Sequence, residues 1–567
     1  MTSTSLLDVE NLSVGLRSNR SMTTVVSDLS FHLKQSEILA IVGESGSGKS
    51  MTAKALMGLL PAGARITGSA QFKDVDILAN ADRNVQAIRG TGIGMIFQEP
   101  MSALNPVLTI GLQMTEALRV HGLANQADAN KRAIEMLDRV GISAPHTRLG
   151  QYPHEFSGGM RQRVMIAMTM LLEPDLIIAD EPTTALDVTV QAQILDLLKE
   201  IVAETSIGML LITHDMGVVA ETADRVLVMK QGSRVEEAGV RTLFADPMAP
   251  YTKALLAAVP RLDGNLSSPS EFPDSDAPIL EVRNLEKSFS KKSGFWRTQA
   301  TTKALKNVSL SVQEGETLAI VGESGSGKST LARAITRLLT VDSGRVIVNN
   351  QDFLALKGQS LRKARSDIQM IFQDPYSSLD PRFKIGRTIE EPIHIHQNIE
   401  SSQARKRVDA LLEQVGLTPD MADRYPHEFS GGQRQRIAIS RALASSPKII
   451  VADEPTSALD VSIQAQVLDL LLRLKKELSL TMLFISHDLA VVGKISDRVA
   501  VMRSGQILEL GPTDRILLDP QHPYTIALLS AAPSPDPERE HRLRVDLPHI
   551  KDAGPLREIQ SGHWVAT

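Results

Sequence analysis

The 567-residue chain is one unit written twice. LLDVENLS from residue 6 is matched by ILEVRNLE from residue 279, a spacing of 273, and the spacing is 273 again from YPHEFSGG (152 and 425) onward. At GESGSGKS it is 279 (Gly43 to Gly322), so the second copy carries six extra residues ahead of that stretch, around SKKSGFWRTQ. Even PMAPYTKALLAAVP (247–260) and PQHPYTIALLSAAP (520–533) correspond. A period this long belongs to whole domains rather than solenoid repeats, so each copy must bury its own core. The reading is a domain over 1–262, a linker over 263–278, a domain over 279–534 and a tail over 535–567. GNLSSPSEFPDSDAP is polar and rich in Pro and Ser, as a linker is. The tail lacks periodicity and is expected to be loosely held.

Within each copy, short apolar β-favouring runs alternate with helical spacing. EILAIVG and TLAIVG end at the glycine-rich stretch, and KSMTAKALMGLL and KSTLARAITRLL follow with helical periodicity. DLIIADEP and KIIVADEP are buried-strand runs, each followed by a helical pattern and a further strand, MLLITHD or MLFISHD. This alternation predicts α/β units with a parallel sheet and helices on both faces. The stretches 101–151 and 376–424 read as a separate helical lobe.

Composition narrows the classes of function. A net charge of -5 and 4% aromatic residues give neither the basic surface nor the stacking platforms of a nucleic-acid binder, so no nucleic-acid partner is expected. With no cysteine, disulfides, thiolate zinc sites, iron–sulfur clusters and cysteine nucleophiles are excluded. MTSTSLLDVENL lacks the pattern of a secretory leader, and no run of about 18 apolar residues occurs, so a cytosolic chain is expected.

GESGSGKS fits G-x-x-x-x-G-K-[ST] in its required place, after a strand and before a helix. The main-chain N–H groups of Gly43, Glu44, Ser45, Gly46, Ser47 and Gly48 would form a nest for phosphate oxygens. Gly322, Glu323, Ser324, Gly325, Ser326 and Gly327 would do the same in the second copy, and each helix adds its positive N-terminal end. Lys49 and Lys328 would reach the β- and γ-phosphates, and the Ser50 and Ser329 hydroxyls would ligate Mg²⁺. Asp180 and Asp453, at strand ends, would hold the Mg²⁺ hydration shell. Glu181 and Glu454 would polarise the attacking water, with Pro182 and Pro455 starting the next helix. Gln98 and Gln373 can bind Mg²⁺ or that water through a neutral amide, and His214 and His487 can report on the γ-phosphate. FSGGMRQR and FSGGQRQR open helices with Ser157 and Ser430 at the cap, followed by Gly158 and Gly159, or Gly431 and Gly432, a second anion cradle.

Taken together, the LSGGQ-type signatures, glycine loops, ADEP strands, TALD/SALD turns and histidines resemble the ABC ATPase family over nearly the whole chain. The resemblance implies two tandem P-loop domains, each with a parallel-sheet core, an antiparallel β portion and a helical lobe. It also implies ATP and Mg²⁺ as ligands and a head-to-tail pairing of the two domains within the chain. One site would join Lys49, Ser50, Gln98, Asp180, Glu181 and His214 to Ser430, Gly431, Gly432 and Gln433. The other would join Lys328, Ser329, Thr330, Gln373, Asp453, Glu454 and His487 to Ser157, Gly158 and Gly159, with Asp187 and Asp460 linking the two. Phe289 fits the family's adenine-stacking position, where the first copy has Leu16, so unequal adenine contacts are expected. Met160 stands in place of Gln433, and Met51 in place of Thr330.

QEPMSALNP, QDPYSSLDP, YPHEFSGG and the PYTKALL and PYTIALL stretches resemble the ATP-binding subunits of bacterial dipeptide and oligopeptide importers in fused form, with glutathione, nickel and opine systems close by. Some relatives carry a cysteine-ligated iron–sulfur cluster, which this chain cannot hold. The resemblance implies two integral-membrane permease subunits, a separate solute-binding protein, and a peripheral position on the cytoplasmic face of the inner membrane. The segments after Gln98 and Gln373 would receive permease helices. A tandem ATPase acting on the ribosome is the alternative of a different class, and the short, acidic, Pro/Ser-rich linker disfavours it.

Overall fold

The structure, a computed structural model, describes residues 5–18, 21–79, 81–184, 186–262, 277–291, 300–397, 399–457, 459–539 and 553–567. The chain divides into two compact units: Met1–Val259 with Pro533–Glu540, and Pro260–Ala532 with His541–Thr567. The linker reading falls largely outside the described residues.

In the first unit, strands β1 (Ser5–Ser18), β2 (Ser21–Lys34), β4 (Arg65–Phe72) and β5 (Val75–Asp76) form an antiparallel sheet in the order β2-β1-β4-β5. The main sheet takes β3 (Ile38–Val42), β6 (Ile93–Ile96), β7 (Leu176–Asp180), β8 (Gly208–Ile212), β9 (Arg225–Lys230) and β10 (Ser233–Gly239). Its order is β10-β9-β3-β8-β7-β6, parallel except for the antiparallel edge strand β10. The central strands β3, β7 and β8 are buried at every position because both faces are covered. In LIIAD, Leu176 and Ile178 pack into the core shared with the antiparallel sheet, while Ile177 and Ala179 pack into the core shared with the helical lobe.

The second unit repeats this plan. Strands β11 (Leu280–Lys291), β12 (Ala300–Val312), β14 (Ser343–Val348) and β15 (Gln351–Asp352) form the antiparallel sheet. The main sheet takes β13 (Thr317–Val321), β16 (Ile368–Ile371), β17 (Ile449–Asp453), β18 (Thr481–Ile485), β19 (Arg498–Arg503) and β20 (Gln506–Pro512), and continues into β22 (His563–Ala566) and β21 (Leu556–Gln560). The helical lobes hold Ile110–Val120, Gln126–Arg139 and Gly158–Met170 in one unit, and Ile385–His396, Ser401–Gln414 and Gly431–Leu443 in the other.

Two expectations are corrected. Pro182 and Pro455 do not start the helices that follow them. Those helices begin at Val188 and Val461, capped by Asp187 and Asp460, because the proline sits in a turn where its fixed φ suits the bend. The tail is not loose throughout: β21 and β22 pair antiparallel, and β22 pairs with β20. Ala553 exchanges two hydrogen bonds with the Gln506 side chain (3.2 and 3.3 Å). The hairpin covers a sheet edge, which satisfies its own main chain and that of β20.

Phe484, the fourth of the five residues of β18, is fully buried in the lobe-side core. Its replacement by Ala is expected to destabilise the second unit by about 3–5 kcal/mol, read from a denaturant midpoint, because that core has no slack to close the cavity.

Candidate functional site

Each P-loop is shaped by glycines in conformations closed to other residues. Gly43 follows β3 with φ 151°, Gly46 has 78° and Gly48 has 101°; Gly322, Gly325 and Gly327 repeat these values within about ten degrees. A Cβ on Gly43 or Gly322 would collide with the carbonyl oxygen of Met229 or Met502 on the neighbouring strand. The loop then runs into helix Lys49–Leu56 or Lys328–Ile335. Lys49 Nζ donates to the Gly43 and Glu44 carbonyls (2.7 and 2.9 Å), and Lys328 Nζ donates to Gly322 and Glu323 at the same distances. Both ammonium groups are thereby buried and aimed across the mouth of the nest, where a phosphate would meet them.

Ser50 Oγ donates to Asp180 Oδ1 (2.9 Å), and Ser329 Oγ to Asp453 Oδ1 (3.0 Å). Two hard oxygen donors side by side, at the foot of a phosphate nest, fit Mg²⁺ shared with phosphate oxygens and water. The described residues contain no group of three or more histidine, cysteine, aspartate or glutamate side chains that could hold a metal ion.

Beyond each aspartate the chain turns sharply: Glu181 and Glu454 stand at φ 48° and 47°. Gln98 Nε2 donates to Glu181 Oε2 (2.7 Å), His214 Nδ1 lies 3.1 Å from Oε1, and the Thr184 hydroxyl donates to Oε2 (2.8 Å). In the second unit Gln373 holds Glu454 Oε2 (2.7 Å) and His487 Nδ1 lies 3.4 Å from it, but Ser457 donates to the Glu454 main-chain carbonyl instead (3.1 Å). Each unit thus gathers its predicted lysine, serine, glutamine, aspartate, glutamate and histidine at the carboxyl end of one parallel sheet. Thr184 was not foreseen. The only sign of it is the fourth letter of EPTT, which reads as a turn residue.

The signature residues lie apart from those sets, at helix N-termini. Ser157 caps Gly158–Met170 by accepting from Met160 N (3.3 Å). Ser430 caps Gly431–Leu443 by accepting from Gln433 N (3.4 Å), and Gln433 Oε1 accepts in return from Ser430 N (3.0 Å). Met160 cannot make that return bond. A Cβ on Gly159 or Gly432 would press into Val190 or Ile463, so helix packing demands glycine there, while Ser157, Gly158 and Ser430 are exposed.

The ABC transporter family model matches residues 26–184 and again 305–457, and the model for the oligopeptide/dipeptide transporter C-terminal region matches 235–284 and 508–555. The glutathione import ATP-binding protein GsiA of Escherichia coli (strain K12) is 49% identical, with 99% of this chain and 96% of that protein covered. The protein of the same name from Salmonella choleraesuis (strain SC-B67) is 48% identical over 100% of this chain and 97% of its own. A solved post-hydrolysis dimer of an ATP-binding cassette with ADP and Pi bound is 33% identical over 41% of this chain and 99% of its own, with a TM-score of 0.37.

The chain belongs to the ABC transporter family.

It carries that family's ATPase domain twice, and the antiparallel and parallel sheets described above are the α/β architecture expected of it. At the adenine positions the two ABC domains differ. Phe289, on β11, is 45% exposed with Lys287 Nζ 5.6 Å from its ring centre, whereas Leu16, on β1, packs partly buried against the core.

Electrostatics in the two sites follow one pattern. Burial raises the Asp180 and Asp453 carboxyls, and the neighbouring glutamates add to this against the Ser50 and Ser329 hydroxyls. Burial would also raise Glu181, but the hydrogen bond and charge of His214, the Thr184 hydroxyl and Lys49 outweigh it and hold the carboxyl at about 2. Glu454 is lowered in the same way, by His487, Lys328 and Gln373. Burial pulls the two histidines down, yet their glutamates and the following Asp215 and Asp488 carry both above the ordinary value.

For a group so raised, the stabilisation is complete below the unfolded value of 6.5 and is lost as pH rises through the folded one. On the acid side the pair is lost as Glu181 protonates, between 4.5 and about 2. The His214 ring is therefore expected to titrate above 6.5 by NMR in the nucleotide-free protein, and lower in Glu181→Gln, where only the charge of Asp215 still opposes burial. An unchanged value in that variant would contradict the ion-pair account.

Proposed function

We propose that this protein is the ATP-hydrolysing subunit of a bacterial importer of small peptides, glutathione-sized peptides included, working on the cytoplasmic face of the inner membrane. The observation that carries the reading is one chain holding two intact P-loop sites, each followed by the peptide-transporter C-terminal region, with whole-length relatives named as glutathione import ATP-binding proteins. No helix among the described residues is long and apolar enough to cross a membrane, in keeping with a peripheral subunit that acts on separate permeases.

In this reading Lys49 and Lys328 neutralise β- and γ-phosphate charge, and the loop amides fix the phosphate chain. Mg²⁺, bound with the nucleotide near Ser50 and Asp180 or Ser329 and Asp453, supplies charge neutralisation. Glu181 is ionised at neutral pH, with one oxygen engaged by His214 and the other by Gln98 and Thr184. An ionised carboxylate so fixed is prepared to orient and polarise the attacking water once one of these donors moves aside. The exposed caps at Ser157 and Ser430, with the helix amides behind them, suit the γ-phosphate of the ATP held by the other domain's P-loop, as the family resemblance implies. Turnover then makes and breaks that engagement, and the permeases follow it.

Exposed apolar side chains, including some in the segment that follows Gln98, support permease docking. Val107 and Val120 are 74% and 77% exposed in the first unit. The second unit has a cavity of about 260 Å³ whose lining includes Leu338, Phe372, Ile395, Glu391 and Arg441. Such patches on a chain of ordinary composition mark interaction sites.

Glu181→Gln combined with Glu454→Gln is expected to leave ATP bound and to lower phosphate release at least a hundredfold, read in a single-turnover assay. Undiminished release would refute the assigned role. Val107→Asp with Val120→Asp is expected to abolish co-purification with the two permease subunits while ATP binding persists. Wild-type recovery of the complex would remove the docking surface from this reading.

A further inference from the structure

In the second unit a buried hydrogen-bonded chain connects the C-terminal hairpin to the nucleotide loop. It starts at His563, on β22, whose Nε2 lies 2.8 Å from Glu509 Oε1. Glu509, on β20, also accepts from the main-chain N–H groups of Gln521 (2.8 Å) and His522 (3.1 Å). His522 Nδ1 accepts from Tyr524 N (3.0 Å), capping helix Pro523–Ala531. The Tyr524 hydroxyl oxygen accepts from the main-chain N–H of Glu323 in the P-loop (3.3 Å). His563, Glu509, His522 and Tyr524 are 1%, 0%, 6% and 0% exposed, so these four side chains are shielded from bulk water. Burial lowers His522, with Arg503 adding to this against Glu509, which keeps the imidazole neutral and its Nδ1 free to accept. Arg503 lies over the Tyr524 ring (4.6 Å) and fixes its plane.

The end of the chain is the informative part. Glu323 is the P-loop residue whose carbonyl receives Lys328 Nζ at 2.9 Å. Its amide and its carbonyl belong to adjoining peptide planes, so a hydroxyl on the amide restricts the orientation of the group that aims the lysine.

The first unit has only the beginning of this arrangement. Glu236 holds the N–H groups of Met248 and Ala249 (2.7 and 3.0 Å), and Tyr251 corresponds to Tyr524. However, Ala249 stands where His522 supplies its acceptor, and among the described residues the first main sheet ends at β10, with no strand in the place of β22.

We infer that Tyr524 is a positioning residue for ATP at the second P-loop, and that His563 and Glu509, by seating the helix that carries it, place the C-terminal hairpin in control of that site alone. The hairpin would thus set nucleotide affinity in one of the two ABC domains without touching the nucleotide. The inference rests on ATP binding at Lys328 and not on what is transported.

The test isolates each site in the full-length chain. In a Lys49→Ala background, binding of mant-ATP reports the second site; in Lys328→Ala, the first. Measurable binding in the Lys49→Ala parent verifies the second P-loop independently. Tyr524→Phe keeps the ring under Arg503 and removes the hydroxyl, and is expected to weaken mant-ATP at the second site roughly three- to tenfold. In the chain with both lysines intact it should raise KM for ATP and leave kcat within twofold. His563→Leu is expected to weaken the second site in the same direction and to leave the first unchanged, and His563→Gln, which restores an N–H donor toward Glu509, should recover the affinity. Wild-type binding by Tyr524→Phe would overturn the inference. So would equal losses at both sites in His563→Leu, which would mark a general loss of folding, or a failure of His563→Gln to recover what His563→Leu lost.

Discussion

Gly43 and Gly322 stand against the carbonyls of Met229 and Met502 with no room for a side chain, and the two glycines that follow in each loop hold positive φ as well. A nest of main-chain N–H groups is possible only where the backbone is held in such conformations, and the rest of each site is arranged around it. The main sheet supplies the strand that enters the loop, and the helix that leaves it carries Lys49 or Lys328 at its first turn. Parallel strands two places away in each sheet deliver Asp180 and Asp453 to the same end. Glu181 and Glu454 then accept a left-handed backbone that a non-glycine residue adopts at a cost, which the surrounding hydrogen bonds offset. Strain at the glutamate and freedom at the glycines serve one purpose, the fixing of charges and dipoles before the nucleotide arrives.

Much of this was legible because duplication gives every motif an internal check. A single GESGSGKS or a single ADEP is a short string, but two at matching offsets with apolar runs before them leave few folds open. The strands of the main sheet were readable as unbroken apolar runs since both faces are buried, and the cap serines were readable from Ser before a glycine pair. What the chain did not disclose depends on non-local pairing or on side-chain reach. HWVA and LREIQ are too short to announce a hairpin, and their partner β20 lies more than forty residues upstream. Thr184 and Ser457 occupy one position in the repeat yet donate to different atoms, a carboxylate and a carbonyl. Pro182 and Pro455 suit a helix start and a turn equally well by φ alone, and only the tertiary context selects the turn.

The two copies also manage the same liability differently. A strand at the margin of a sheet offers unpaired N–H and carbonyl groups to any passing chain. On β10, Glu237 pairs with Arg225 and Arg234, which places charge along that margin. On β20 the corresponding residue is Leu510, and β22 lies alongside it with Trp564 packed on the core. Charge lines the margin where no further strand pairs among the described residues; an apolar margin requires a cover, and β22 provides it.

Where the copies have diverged follows from what each residue is bound to. The residues proposed to meet phosphate, metal or water are the same in both: the loop lysines, the hydroxyls on the aspartates, the glutamates, the glutamines and the histidines. Their chemistry leaves no second solution. Substitutions fall at the expected adenine contact, Leu16 against Phe289, and one contact further out, at Met160 against Gln433, Thr184 against Ser457, and Ala249 against His522. Each of these alters how firmly a shared group is held while leaving the group itself in place. Two ATP sites can have unequal affinities while the groups proposed to carry their chemistry stay the same, and the pattern of substitution in this chain is of that kind.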